Sequence, residues 1–203
     1  MFLSRTSIIL VLSFLQTAST YAMEPSPDEM TVYRTLFSGE SLVVLRESGA
    51  NADLDPEYAK QLAPYHDAFV ADTHKRFPTA ETSTIESFFS RRQLPALLTP
   101  ESDLGIRTVL LDENIANKLY PSMSQITRSP HLRTYGWFAF RRRYPRAHAV
   151  TYITRVGFNA TKTQALVFIQ ESTGPDIGDE PRFTILLVQN NNVWTITKKA
   201  KDD

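Results

Sequence analysis

Residues 136–169, GWFAFRRRYPRAHAVTYITRVGFNATKTQALVFI, carry the plainest change of pattern in the chain, and the rest is organised around them. Helical spacing of the aromatic residues predicts a helix over 134–143. The Tyr144-Pro145 pair ends it, because a proline disfavours the helical conformation of the residue before it. Between Ala149 and Phe158 the β-branched and aromatic residues suit a pleated strand, with Val150, Tyr152, Val156 and Phe158 expected on one face by the period of two. The partner run, Thr163 to Gln170, places Ala165, Val167 and Ile169 on one face and Leu166 and Phe168 on the other. Apolar residues on both faces suggest a strand covered on both sides. Asn159 to Lys162 supplies the turn, so a hairpin is expected.

Downstream, Arg182 to Val188 alternates in the same way, Asn190-Asn191-Asn192 forms a tight turn, and Val193 to Lys199 reads as a half-polar edge strand followed by a frayed tail at 201–203. The expectation is an α+β fold in which N-terminal helices and one C-terminal helix pack on a four-stranded antiparallel meander. This element order is compatible with a cystatin-like or NTF2-like shape.

The residues YPRA (144–147), TRVGFN (154–159), KTQALVFI (162–169) and VWTI (193–196) resemble a family of exported bacterial proteins of uncharacterised activity. That family has a helix ending in Tyr-Pro, a Ser-Arg-Val-Gly-Phe-Asn strand end, a Thr-Gln-Ala-Leu-Val strand and a final Gly-x-Trp strand. Here Thr154 replaces the serine, Asn192 stands where glycine is expected, and the loop from Glu171 to Pro181 is acidic rather than glycine-rich. The resemblance implies a related fold and brings no catalytic residue with it.

Upstream, residues 1–22 follow the order of a secretory signal peptide: Arg5, an apolar run from Ile8 to Leu15, then small and polar residues ending at Ala22. Cleavage is expected near Ala22, with Ala18 the competing site. The apolar run is too short to span a bilayer. The mature chain, 23–203, is read as one α+β domain, exported to the periplasm or the extracellular space. With no cysteine in the chain, disulfides, thiol catalysis and a lipoprotein thioether anchor are excluded.

The remaining segments are read from their caps and breaks. Glu29 to Phe37 is predicted helical with Asp28 as cap, and Leu42 to Leu45 is a strand bounded by Gly49-Ala50-Asn51. Asp55-Pro56 opens a helix through Phe77 that Pro64 interrupts. Further predictions are a helix from Thr84 to Arg92, a strand from Ile106 to Leu111, a helix capped by Asp112 and stopped by Pro121, and a polar loop from Ser122 to Pro130.

The chain is formally neutral, yet between Asn114 and Gln170 there is no Asp or Glu, while Lys118, Arg128, Arg133, Arg141, Arg142, Arg143, Arg146, Arg155 and Lys162 all fall there. Such a run suits an anionic ligand or an anionic envelope surface. It equally suits a solvated face paired with acids elsewhere, and three consecutive arginines cannot all point one way on a helix. His66, Asp67, Asp72 and His74 are too widely spaced along a helix for one metal ion. Asp176, Asp179 and Glu180 lack the spacing of a calcium loop. Neither a nucleophile elbow nor a phosphate-cradling or dinucleotide glycine motif is present. No metal, cofactor or catalytic residue is therefore assigned.

Tyr135, Trp137, Phe138 and Phe140 are read as a helix face buried on the sheet. The candidate binding residues are Arg141, Arg142 and Arg146 in the basic stretch, with Arg155 and Gln164, whose polar heads on strands near the hairpin would demand partners if they point inward. The expectation is a non-enzymatic binding or interaction module, with an anionic ligand or envelope protein as partner; the alternative is a small periplasmic hydrolase with a dispersed active site. A deep pocket holding Arg155 and a carboxylate would favour the enzyme, and a filled interior the module.

Overall fold

The computed structural model describes residues 24–45, 63–92, 94, 96, 98–121, 123–129, 131–176 and 180–202. The expected signal peptide, the boundary at Gly49-Ala50-Asn51 and the helix start at Asp55-Pro56 lie outside them.

The described strands are β1 (Val43–Leu45), β2 (Thr108–Leu110), β3 (Val150–Ile153), β4 (Gly157–Phe158), β5 (Gln164–Ser172), β6 (Arg182–Asn190) and β7 (Val193–Asp202). They form one seven-stranded sheet in the order β2-β1-β3-β5-β6-β7, with β4 also paired to β5. Pairing is antiparallel from β3 to β7, but β1 lies parallel to both β2 and β3. The fold is α+β, and the expected four-stranded antiparallel meander is overturned by this mixed sheet. The cystatin-like or NTF2-like comparison falls with it. The physical reason is range: β1 and β2 are short apolar runs whose partners are distant in sequence, and periodicity says nothing about which strands pair.

The helices are α1 (Pro27–Leu36), α2 (His66–Arg76), α3 (Thr82–Arg91), α4 (Glu113–Leu119), α5 (Met123–Arg128) and α6 (Leu132–Arg143). They are not a lone helix on a meander, because the sheet is covered on both faces. One face holds Val43, Leu45, Ile153, Val167, Ile185 and Leu187 under α1 residues Val32 and Tyr33 and the segment containing Leu98 and Leu104. On the other face α4 and α6 pack Ile115, Leu119, Trp137 and Phe140 on Leu42, Val44 and Val150. Beside them Phe77, Ile85 and Phe88 cover Leu166 and Leu186. α6 thus belongs to the parallel end of the sheet, while α2 and α3 cover β5 and β6.

Local chemistry explains several boundaries. Ser26 caps α1: its Oγ accepts from the Glu29 N–H at 3.3 Å, and the Glu29 carboxylate accepts from the Ser26 N–H at 2.8 Å. Asp28, the expected cap, sits inside the first turn. Asp112 caps α4 through the Ile115 N–H at 3.2 Å. Where a polar loop was expected after Ser122, the chain forms α5. Pro64 lies in a single 3-10 turn, Ala63–Tyr65, ahead of α2. Asn191 and Asn192 take φ of 50° and 63° in the β6–β7 turn, a conformation asparagine tolerates. The expected frayed tail instead continues β7, where Asp202 accepts from the Thr184 hydroxyl at 2.9 Å and pairs with Arg76.

The expected single strand from Ala149 to Phe158 is two. The Arg155 N–H turns to the Leu94 carbonyl and the Val156 N–H to the Glu29 carboxylate, so neither bonds to β5. This break shifts the alternation: Val156 and Phe158 pack with Ile153 rather than sharing a face with Val150 and Tyr152.

Candidate functional site

The motif Thr154 to Asn159 is built into the interior. Thr154 Oγ1 accepts from the Phe168 N–H at 3.2 Å, fastening the break to β5. Arg155 is 7% exposed and lies opposite Glu29, which has no exposed surface. Its Nε donates to Glu29 Oε1 at 2.7 Å and its Nη2 to Oε2 at 2.6 Å. Two backbone N–H groups, from Ser26 and Val156, complete the carboxylate's shell, and Arg91 stands 3.7 Å away while donating to the Val156 carbonyl. Burial opposes the charge on Glu29, but the Arg155 hydrogen bonds, the Ser26 N–H and the Arg155 charge outweigh it and hold the carboxyl below its ordinary 4.5. The neighbouring Tyr33 hydroxyl, donating to the Thr154 carbonyl at 3.0 Å, is pushed well above its ordinary 10.0 by burial and then by the Glu29 charge.

Arg155 therefore has its carboxylate within the buried interior. Gly157 contributes by absence: a Cβ there would stand 2.3 Å from the Cα and N of Phe88, so only glycine lets β4 approach α3 so closely. Asn159 closes the turn, its Oδ1 accepting from the N–H groups of Thr163 and Gln164 at 2.8 and 3.0 Å. Gln164, at the start of β5, caps the beginning of α3. Its Oε1 accepts from the Glu81 N–H at 2.8 Å and its Nε2 donates to the Thr79 carbonyl at 3.0 Å, where Glu81 at the N-cap makes no side-chain cap of its own.

The basic candidates divide. Arg141 folds back, donating to the carbonyls of Ala147 and Thr173 at 2.9 Å each and lying over the rings of Trp137 and Phe140. Arg142, Arg143 and Arg146 point outward and are exposed. Arg143 and Arg146 meet Arg107, which precedes β2, around a hollow of about 300 Å³ with Ser41, Tyr144 and Pro145 in its wall and no carboxylate among its described lining residues. Arg142 and Arg143 also flank Phe138 in an adjoining depression. Phe138 and Tyr135 are 72% and 60% exposed. The sequence reading had buried all four aromatics of α6; only Trp137 and Phe140 are in the core.

The predicted site residues thus do not form one cluster. Arg155 and Gln164 serve the fold in different places, and Arg142 and Arg146 share a surface with Arg107 and Arg143, which sequence reasoning did not single out as binding residues. Arg107 is too distant in sequence for any local pattern to join it to α6. Glu29 was read only as a helix residue; an acid three positions after Ser26 signalled the capping box, though not the ion pair. His66 turns to Asp67 at 3.0 Å and packs edge-on to Phe89. Among the described residues no three His, Asp or Glu side chains gather as metal ligands.

Comparison of the chain with protein-family models, curated proteins and solved structures returns no match.

Proposed function

We propose that this chain is a non-enzymatic binding module that acts after export and receives an anionic partner on the arginine surface at the end of α6. The observation that carries this reading is the convergence of Arg107, Arg143 and Arg146 on one hollow with no carboxylate among its described lining residues, beside exposed Arg142 and Phe138. Like charges gathered without neutralising acids raise the local positive potential and favour an anion. A guanidinium fork matches the geometry of carboxylate, sulfate or phosphate oxygens.

The satisfied Glu29–Arg155 pair weighs against the hydrolase alternative, because this buried acid–base constellation is enclosed and held by its own hydrogen bonds. Export is part of this reading, with cleavage near Ala22 and release to the periplasm or beyond, and it accords with the resemblance to exported bacterial proteins. No helix among the described residues is long and apolar enough to cross a membrane.

Retention on heparin at low salt tests the anion surface. Wild-type protein should be retained, and Arg107→Gln with Arg146→Gln should elute at distinctly lower salt. No retention of the wild type, or unchanged elution of the double variant, would end the proposal.

A further inference from the structure

The outer side of α6 carries more than charge. Tyr135, Phe138, Ala139, Arg142 and Arg143 recur at helical spacing and form one stripe, opposite the buried Trp137 and Phe140. Phe138 is the most exposed large hydrophobic side chain among the described residues, and Tyr135 stands out beside it. Arg143 lines both the depression at Phe138 and the hollow shared with Arg107 and Arg146, so the aromatic stripe and the arginines make one continuous surface. Leu110, another wall residue of that hollow, is exposed as well.

The cations on this surface are uncommitted. Among the described residues, the guanidinium groups of Arg107, Arg142, Arg143 and Arg146 have no hydrogen bond and no ion pair. α6 itself holds neither Asp nor Glu. Asp112 and Glu113 open α4, which packs beside α6; the Asp112 carboxylate accepts from the Ile115 N–H, and neither acid pairs with these arginines. The shape is also informative: the described lining of the depression at Phe138 comes from α6 alone, so no second element there forms a groove that would hold a peptide.

Resting on the anion reading of this surface, we infer that its partner is a bilayer containing anionic phospholipids, with Phe138 and Tyr135 entering at headgroup level and the four arginines on the lipid phosphates. Aromatic side chains settle at the boundary between water and lipid. Arginine lays its apolar stem along that boundary while its head stays with the phosphates. Shallow insertion and headgroup attraction add, and neither alone anchors a protein firmly. A soluble anion would use the arginines and leave the protruding rings in water; a deformable lipid surface covers both.

Flotation with lipid vesicles is the test. Residues 23–203, the form that the proposed reading places after export, are used so that the apolar run of residues 8–15 contributes nothing. At low salt they should float with vesicles of equal parts phosphatidylglycerol and phosphatidylcholine, and stay in solution with phosphatidylcholine alone. Arg142→Gln with Arg143→Gln should lower the apparent affinity for the anionic vesicles about twentyfold, roughly fivefold for each arginine lost near the surface. Phe138→Ser should weaken vesicle binding several-fold yet elute from heparin with the wild type, because heparin offers charge without an apolar layer. Tyr135→Ser is a second variant of the same kind. Heparin retention without flotation overturns this inference and leaves the anion reading standing with a soluble partner, whereas failure on both ends both. Equal binding to the neutral vesicles, or wild-type flotation of both serine variants, also overturns it.

Discussion

Arg155 and Glu29, 126 positions apart, meet in the interior through two parallel hydrogen bonds of 2.7 and 2.6 Å, with the carboxylate wholly removed from solvent. A doubly bonded pair of this kind fixes orientation as well as contact. It ties α1 to the break between β3 and β4, where the Ser26 and Val156 N–H groups also bond to the carboxylate.

Removing one partner should cost far more than removing both. Glu29→Ala strands a buried guanidinium and is expected to destabilise the protein by about 3–5 kcal/mol, whereas an apolar replacement of both residues, Glu29→Met with Arg155→Met, should recover much of that loss. Urea denaturation of the three proteins measures it. A double variant no more stable than Glu29→Ala would show that the pair is not the source of the effect.

The same pair sets an acid limit. Because the folded Glu29 carboxyl is held below its ordinary 4.5, its contribution to stability is present above 4.5 and is lost as pH falls through the depressed folded value. Tyr33 acts at the other end: with its folded pKa raised well above 10.0, its contribution is present below 10.0 and declines as pH rises beyond it. Thermal melts across pH should therefore show Glu29→Gln with a shallower acid limb and Tyr33→Phe with a shallower alkaline limb. Limbs parallel to wild type in both would contradict these assignments.

Gly157→Ala should be severe despite its small size. The added methyl would overlap the backbone of Phe88, which has no soft side-chain atom to yield. Overpacking of this kind costs about 1–3 kcal/mol and separates β4 from α3. Differential scanning calorimetry reads the loss; a melting temperature within a degree or so of wild type would mean that the helix gives way freely.

Gln164→Ala removes a cap supplied in trans. The Glu81 N–H and the Thr79 carbonyl lose their partner together, which is expected to cost about 1–2 kcal/mol and to raise hydrogen exchange at the first turn of α3 above that of α4, whose Asp112 cap is intact. Exchange raised equally in both helices would indicate general loosening instead.

How far the sequence could be read depends on the range of each interaction. The cap of α4 at Asp112, the stop at Tyr144-Pro145, the asparagine turn before β7 and the two apolar faces of β5 all lie within a few residues of the groups that cause them, and each was legible. The strand break at Arg155 was not, because the N–H groups that leave the ladder go to Leu94 and Glu29, far away in sequence. β7 ran past its expected end for the same reason: Thr184 and Arg76 hold Asp202. Arg155 and Gln164 were rightly suspected of needing partners, and the partners turned out to be a helix residue and a helix N-terminus.

Taken alone, the amino-acid order determined the cap of α4 at Asp112, the end of α6 at Tyr144-Pro145 and the asparagine turn before β7, since capping, proline geometry and turn chemistry act between neighbours. Tertiary structure decided the parallel placement of β1, the burial of Glu29 against Arg155 and the meeting of Arg107 with Arg143 and Arg146. Each of these requires segments to be brought together across long loops, and periodicity carries a residue's face without naming the chain that will lie beside it.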